Sequence, residues 1–190
     1  MNALPDRYAT DDLVLRDPGD GRTLAQRLSK RYAARITGAF VVPGREGSFA
    51  PLPKDLPPAL AGALRSRGID QLYSHQAEAW KATQSGAHVA IVTPTASGKS
   101  LCYTLPVVSA AMMKNAKALY LFPTKALAQD QVAELLELNQ AGELGVKAFT
   151  FDGDTPGDAR QAIRLHGDIV VSNPDMLHQA ILPHHTKWAQ

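Results

Sequence analysis

Residues 93–100 read TPTASGKS and follow the apolar run HVAIV at 88–92. Glycine, lysine and a small hydroxyl residue in that order close a phosphate-binding loop of the form G-x-x-x-x-G-K-[ST]. Such a loop curls successive backbone N–H groups around phosphate oxygens at a helix N-terminus, whose dipole favours negative charge. Gly98 would let the backbone approach, Lys99 would reach the β- and γ-phosphates, and Ser100 would hold Mg²⁺. Thr93, Pro94, Thr95, Ala96 and Ser97 would form the rest of the cradle. The consensus opens on glycine where this chain has Thr93, which is tolerable if Thr93 is the last residue of a strand. Ala96 is a second place where glycine is commoner. Both residues are expected at negative φ, because only glycine takes the opposite sign without steric cost.

Gln76 lies upstream in LYSHQAEAW. A glutamine amide can donate to and accept from the N6/N7 edge of adenine, a pattern guanine does not match. Tyr73 offers a ring for stacking on the base, so the pair points to ATP. Alone, Gln76 would be an ordinary helix residue. Two further segments suit phosphates. In LYLFPTKALAQDQ, Pro123 and Thr124 stand at a strand-to-helix junction, Thr124 is a fair N-cap, and Lys125 would sit beside free N–H groups. In NPDMLH, Asn173 caps, Pro174 takes the first helical position, and Asp175 follows. Two such junctions beside a nucleotide loop suggest a sugar-phosphate backbone tracking across the domain. Asp152 follows the run AFTF, as a magnesium-organising acid would, but Asp152-Gly153-Asp154-Thr155-Pro156 reads better as a turn. His178, His184 and His185 match no zinc spacing and are expected at the surface. Cys102 is read as a small packing residue, and Pro106 as the site of a kink in the helix after the loop.

These residues need elements that hold them together. Apolar strand-like runs at 88–92, 117–122, 146–151 and 168–172 alternate with helical stretches at about 98–113, 124–139 and 157–166. That alternation implies parallel βαβ units with right-handed crossovers, and continuous apolar strands imply a sheet covered on both faces. The expected fold is a doubly wound α/β domain over 59–190, whose strand C-terminal ends gather the loop segments on one edge. A helix ending at Gly68 and another from Ser74 to about Gln84 precede it. Upstream, 43–58 holds five prolines and reads as an extended linker, and residues 1–20 as irregular. Within the extension 1–42, residues 22–36 read as a helix with a stripe of Arg27, Arg31 and Arg35 beside Lys30, taken as a solvated face, with a nucleic-acid-facing accessory helix as the alternative.

Bulk properties exclude little. The 190 residues are 45% hydrophobic and 20% charged, with a net charge of +2, so contact with nucleic acid must rest on local geometry. One cysteine rules out an internal disulfide framework and suits a reducing compartment. No apolar run approaches the roughly 20 residues of a membrane span, and the acidic, proline-bearing start is unlike a signal sequence. A cytoplasmic protein is expected.

With these motifs in order, the chain resembles the N-terminal half of a superfamily 2 helicase. LYSHQAEAW looks like the adenine-reading Q motif, TPTASGKS like motif I, YLFPTKALAQDQ like motif Ia, and FDGDTP and VVSNPDMLH like motifs Ib and Ic. The wording of PTKALAQDQ and NPDMLHQAILPHHTKW is similar to the YprA-type DNA helicases. The resemblance covers about 59–190 and implies a RecA-like first lobe, ATP·Mg²⁺ at motif I, and ATP-driven 3′→5′ movement on DNA in repair. It implies DNA-backbone contacts from Pro123, Thr124, Lys125, Gln129, Asp152, Gly153, Asn173, Pro174 and Asp175. The family's D-E-x-H box would follow shortly after residue 190, and its second RecA-like lobe with the arginine fingers lies further on. The chain is therefore expected to be part of a longer enzyme, binding ATP without hydrolysing it alone. The alternatives are a DEAD-type RNA-remodelling protein and a non-catalytic nucleotide- or nucleic-acid-binding module.

Overall fold

A computed structural model describes residues 21–36 and 46–188, and the chain divides into two units between Glu46 and Gly47. The expectations for 1–20 and 37–45 fall outside the described residues. In the first unit, α1 (Gly21–Arg31) continues as a turn to Arg35, so the helix is shorter than the periodicity implied. Arg27, Lys30, Arg31 and Arg35 are exposed on it, while Leu28 and Tyr32 are half-buried.

The second unit begins with a short antiparallel pair, β1 (Phe49–Pro51) against β2 (Gln71–Tyr73), which sets Phe49 opposite Tyr73. Residues 49–58 are therefore packed structure and not the extended linker that their prolines suggested. Pro58 opens α2 (Pro58–Ser66), where its missing N–H costs nothing. Leu56 is buried, and the Trp80 indole donates to Asp55 at 3.1 Å. Gly68, at φ 75°, turns the chain towards β2, and α3 (Ser74–Gln84) follows directly.

Next come α4 (Ser100–Lys114), β3 (Ala118–Leu121), α5 (Lys125–Gly142), β4 (Ala148–Thr150), α6 (Gly157–His166), β5 (Ile169–Ser172) and α7 (Pro174–Met176). A wide turn at Leu177–Ile181 and a 3₁₀ segment at Leu182–Lys187 complete the described chain. The helix α4 runs on through Pro106 to Lys114. The sheet is parallel in the order β3-β5-β4. The chain thus skips a place from β3 to β4 and returns to the centre with β5. All four β5 residues are buried, as a strand covered on both faces requires. Ile169 and Val171 join one apolar cluster with Leu60, Leu64 and Leu138, and Val170 points into another with Phe151, Ile163 and Ile181. Helices on both faces of a parallel sheet make the doubly wound α/β fold.

Asp168 fastens the N-terminal edge of all three strands. Its carboxylate accepts from the Lys117 ammonium at 2.8 Å and from the Lys147 N–H at 2.9 Å, and its carbonyl accepts from the Ala118 N–H at 2.8 Å.

One expected strand is absent. Residues 88–92 make no ladder with any described segment, and Val92 is 94% exposed. Apolar sequence favours a strand but cannot supply the neighbour whose N–H and C=O groups complete it. The outer edge of β3 is likewise unpaired among the described residues, with Leu119 and Leu121 exposed.

Candidate nucleotide site and nucleic-acid edge

The phosphate loop leads into α4, with Lys99 at the cap position and Ser100 as the first helical residue. Ala96 has φ 60° and Gly98 φ 72°, both left-handed. The expectation of negative φ at Ala96 is thus wrong, while Thr93 is not among the left-handed residues. Alternating left- and right-handed residues curve a backbone so that successive N–H groups converge, which is what an anion cradle needs. Alanine accepts that conformation at roughly 1–2 kcal/mol. The Lys99 ammonium folds into the loop and donates to the carbonyls of Thr93 at 2.9 Å and Pro94 at 2.6 Å. The Thr93 and Ser97 hydroxyls bond at 2.6 Å and close the loop's other side. A converging backbone, a lysine inside it and a serine at the helix start fit a nucleotide polyphosphate and its cation.

Gln76 is 3% exposed, and both ends of its amide are engaged. Its Oε1 accepts from the Tyr73 N–H at 2.9 Å, and its Nε2 donates to the Gly98 carbonyl at 2.7 Å. A Cβ at residue 98 would sit 2.7 Å from that Nε2, a second reason for glycine there. One lone pair and one N–H remain on the amide, the pair that would face adenine. The Tyr73 ring lies near-parallel to those of Phe49, at 4.8 Å between centroids, and His75, at 5.6 Å, and stays 40% exposed. Phe49 was not singled out in the sequence. Its only signal there is an aromatic residue in a proline-rich stretch, and the β1–β2 register is what brings it to Tyr73. Beside the loop opens a cavity of about 1140 Å³, bounded by residues 95–100, by His88, Val89 and Ile91, and by Leu127 of α5. No carboxylate among the described residues lines it.

The other site residues follow the C-terminal ends of β3, β4 and β5, hence one edge of the parallel sheet. Pro123, Thr124, Lys125 and Gln129 are exposed after β3. The Thr124 hydroxyl accepts from the Leu127 N–H at 3.3 Å and caps α5 as expected. After β5, Asn173 accepts from the Met176 N–H at 2.8 Å and Pro174 takes the first position, but α7 is only 3 residues long. Asp175 is exposed beside it.

Asp152 is a turn residue. Its Oδ1 accepts from the Asp154 N–H at 2.9 Å and from the Thr155 hydroxyl at 3.3 Å, and Arg160 donates to the carbonyls of Thr155, Asp152 and Gly153. Lys125 reaches this turn across the end of β5, hydrogen-bonding Asp154 and lying 3.5 Å from Asp152. The Asp154 hydrogen bond raises the Lys125 pKa, and Lys125 lowers that of Asp154. His178, His184 and His185 are exposed, and no group of metal-ligating residues occurs among the described residues. Cys102 is buried, and desolvation raises its pKa.

A phosphate-type loop tied to a glutamine-bearing helix, beside a parallel α/β sheet, is the arrangement of a P-loop lobe. The DEAD/DEAH box helicase family matches residues 73–190, and the chain belongs to that family. It is 54% identical over 145 residues to the ATP-dependent helicase YprA of Bacillus subtilis, covering 76% of this chain and 19% of that protein. It is 41% identical over 150 residues to the ATP-dependent helicase hrq1 of Schizosaccharomyces pombe, covering 77% of this chain and 14% of that one. The crystal structure of the DUF1998 helicase MrfA bound to DNA and AMPPNP superposes with a TM-score of 0.74 at 52% identity, over 77% of this chain and 21% of that one. The chain thus spans about a fifth or less of the length of these relatives.

Proposed function

We propose that the whole protein is an ATP-dependent DNA helicase and that these residues are its ATP-binding lobe. The observation that carries the reading is the Gln76–Gly98 hydrogen bond, which joins an adenine-reading amide to a phosphate cradle. In this reading Lys99 binds the β- and γ-phosphates, Ser100 holds Mg²⁺, and Tyr73 and Phe49 give the base an aromatic wall. Bound Mg²⁺ would supply charge neutralisation at the phosphates. Lys125, Thr124, Gln129, Asn173 and the turn at Asp152 and Gly153 meet a DNA backbone on the same sheet edge. The relatives named for DNA favour it over RNA, and 3′→5′ polarity, a role in repair and a cytoplasmic location belong to the same proposal. No helix among the described residues is long and apolar enough to cross a membrane.

The test is ATP hydrolysis and strand separation by the full-length protein, on 3′-tailed and 5′-tailed duplexes of DNA and of RNA. Unwinding of 3′-tailed DNA at the expense of ATP is expected. Stimulation by RNA alone would favour the RNA-remodelling reading, and nucleotide binding without turnover on any substrate would favour a non-catalytic module.

A further inference from the structure

Two helices carry the two halves of the site. Ser100 opens α4 at the phosphate loop, and Lys125 opens α5 at the proposed DNA edge. Beyond their shared apolar cluster, one side-chain hydrogen bond joins them among the described residues. Tyr103, one turn into α4, donates its phenol O–H to Gln131 Oε1 at 2.6 Å. The Gln131 Nε2 donates onward to Glu134 at 3.1 Å. Gln131 is 5% exposed and shares the inner face of α5 with Ala128, Leu135 and Leu138. An amide in that company is costly unless it is bonded, so its polarity answers to the Tyr103 phenol. The ring of Tyr103 is fixed in turn by an edge-on contact with Tyr120 of β3, centroids 5.3 Å apart. Burial raises the phenol's pKa, and the Ser100 side chain offsets part of that shift, so the phenol remains a donor at neutral pH.

Apolar helix contacts slide under small displacements. A buried, directional hydrogen bond is either made or broken, which suits it to register a shift of one helix against the other. Tyr103 lies three residues after Ser100, and Gln131 six residues after Lys125. A displacement of α5 when Lys125 exchanges Asp154 for a phosphate would therefore reach the phosphate loop through this bond. We propose that Tyr103 and Gln131 are positioning residues that couple the DNA edge to the nucleotide loop. The inference rests on the ATP- and DNA-handling reading above.

The test uses the full-length protein with Tyr103→Phe, Gln131→Met and the double variant, measuring ATPase with and without single-stranded DNA, DNA affinity and thermal unfolding. Gln131→Met, which lies away from the loop cavity, should keep the DNA-free rate within about twofold while the DNA-stimulated ratio falls about tenfold, and Tyr103→Phe should lower that ratio by the same factor. The double variant should lose no more than either single one, because both remove the same bond. Equal loss with and without DNA would show a merely structural role and overturn the proposal. So would an unchanged ratio, or losses that multiply. A wild-type protein that ignores DNA would overturn the functional reading and the coupling together, whereas a stimulated wild type with equally stimulated variants would overturn the coupling alone.

Discussion

The Gln76 side chain donates to the Gly98 carbonyl at 2.7 Å and accepts from the Tyr73 N–H at 2.9 Å, so one buried amide fixes both the start of α3 and the crown of the phosphate loop. Gln76→Leu would leave those two backbone groups without partners. At about 1–3 kcal/mol for a buried polar group left unbonded, a loss of roughly 2–3 kcal/mol is expected after partial rehydration. ATP affinity should fall with it, because the loop loses its tether. Thermal unfolding with and without ATP checks both effects, and a variant matching the wild type in both would remove the amide from the site.

Lys99 contributes differently. Its ammonium bonds two loop carbonyls at the surface, so Lys99→Ala should change stability by no more than about 1 kcal/mol. It should also abolish most ATP binding, because no other lysine or arginine among the described residues borders the loop cavity. Calorimetric titration separates the two, and equal affinity in both proteins would mean that the lysine is not the phosphate contact.

Ala96 stores backbone strain. Left-handed alanine costs roughly 1–2 kcal/mol, and glycine's greater freedom when unfolded costs about 0.4–1 kcal/mol in return. Ala96→Gly should therefore leave stability unchanged or raise it by up to about 1.5 kcal/mol, and Ala96→Val should lower it. Chemical denaturation midpoints decide this. Destabilisation by glycine would show that the alanine methyl is needed for packing.

What the sequence made legible was local. Ser74 to Gln84 and Gly157 to His166 were readable as helices because their bounds lie in adjacent residues, and Thr124 and Asn173 cap as their types suggest. The turn at Asp152 followed from its glycine and proline. What could not be read depends on distant partners. Nothing near Phe49 announces Tyr73, and nothing near Tyr103 announces Gln131, 28 residues on. Residues 88–92 have the composition of a strand, yet a ladder is a property of two segments. The sign of φ at Ala96 is set by the loop's closure and not by the preference of alanine.

Asp168 allows a test by pH. Burial pushes its carboxyl pKa up, but the Lys117 ammonium and the Lys147 N–H outweigh it and hold the group below the usual carboxylate range. A depressed folded-state pKa contributes stability above the unfolded value, about 3.9, which is lost as pH falls through the lower folded value. Asp168→Asn should thus cost about 1–2 kcal/mol at neutral pH, since the side chain is 17% exposed and bonds across three strands. The gap between the two proteins should hold down to about pH 4 and close below it. A gap independent of pH would mean that shape and not charge fastens the edge.

The last expectation concerns turnover by the 190 residues alone. They should bind ATP without hydrolysing it at a useful rate. Phosphoryl transfer needs a residue to place the attacking water and a cation to offset charge developing on the phosphate, and an arginine finger alone is typically worth about 10³–10⁵ in rate. No carboxylate among the described residues lines the cavity beside the loop, and Asp152, the acid whose position after a strand invited that role, engages its carboxylate in its own turn and with Lys125. Arg160 is likewise committed to three carbonyls of that turn. The loop can therefore hold the nucleotide, but the described residues bring no water-positioning acid to it. Steady-state phosphate release with saturating single-stranded DNA, compared between the 190 residues and the full-length protein, gives the answer. Near-equal rates would mean that Asp152 leaves its turn to reach the nucleotide, and Asp152→Asn would then abolish the activity.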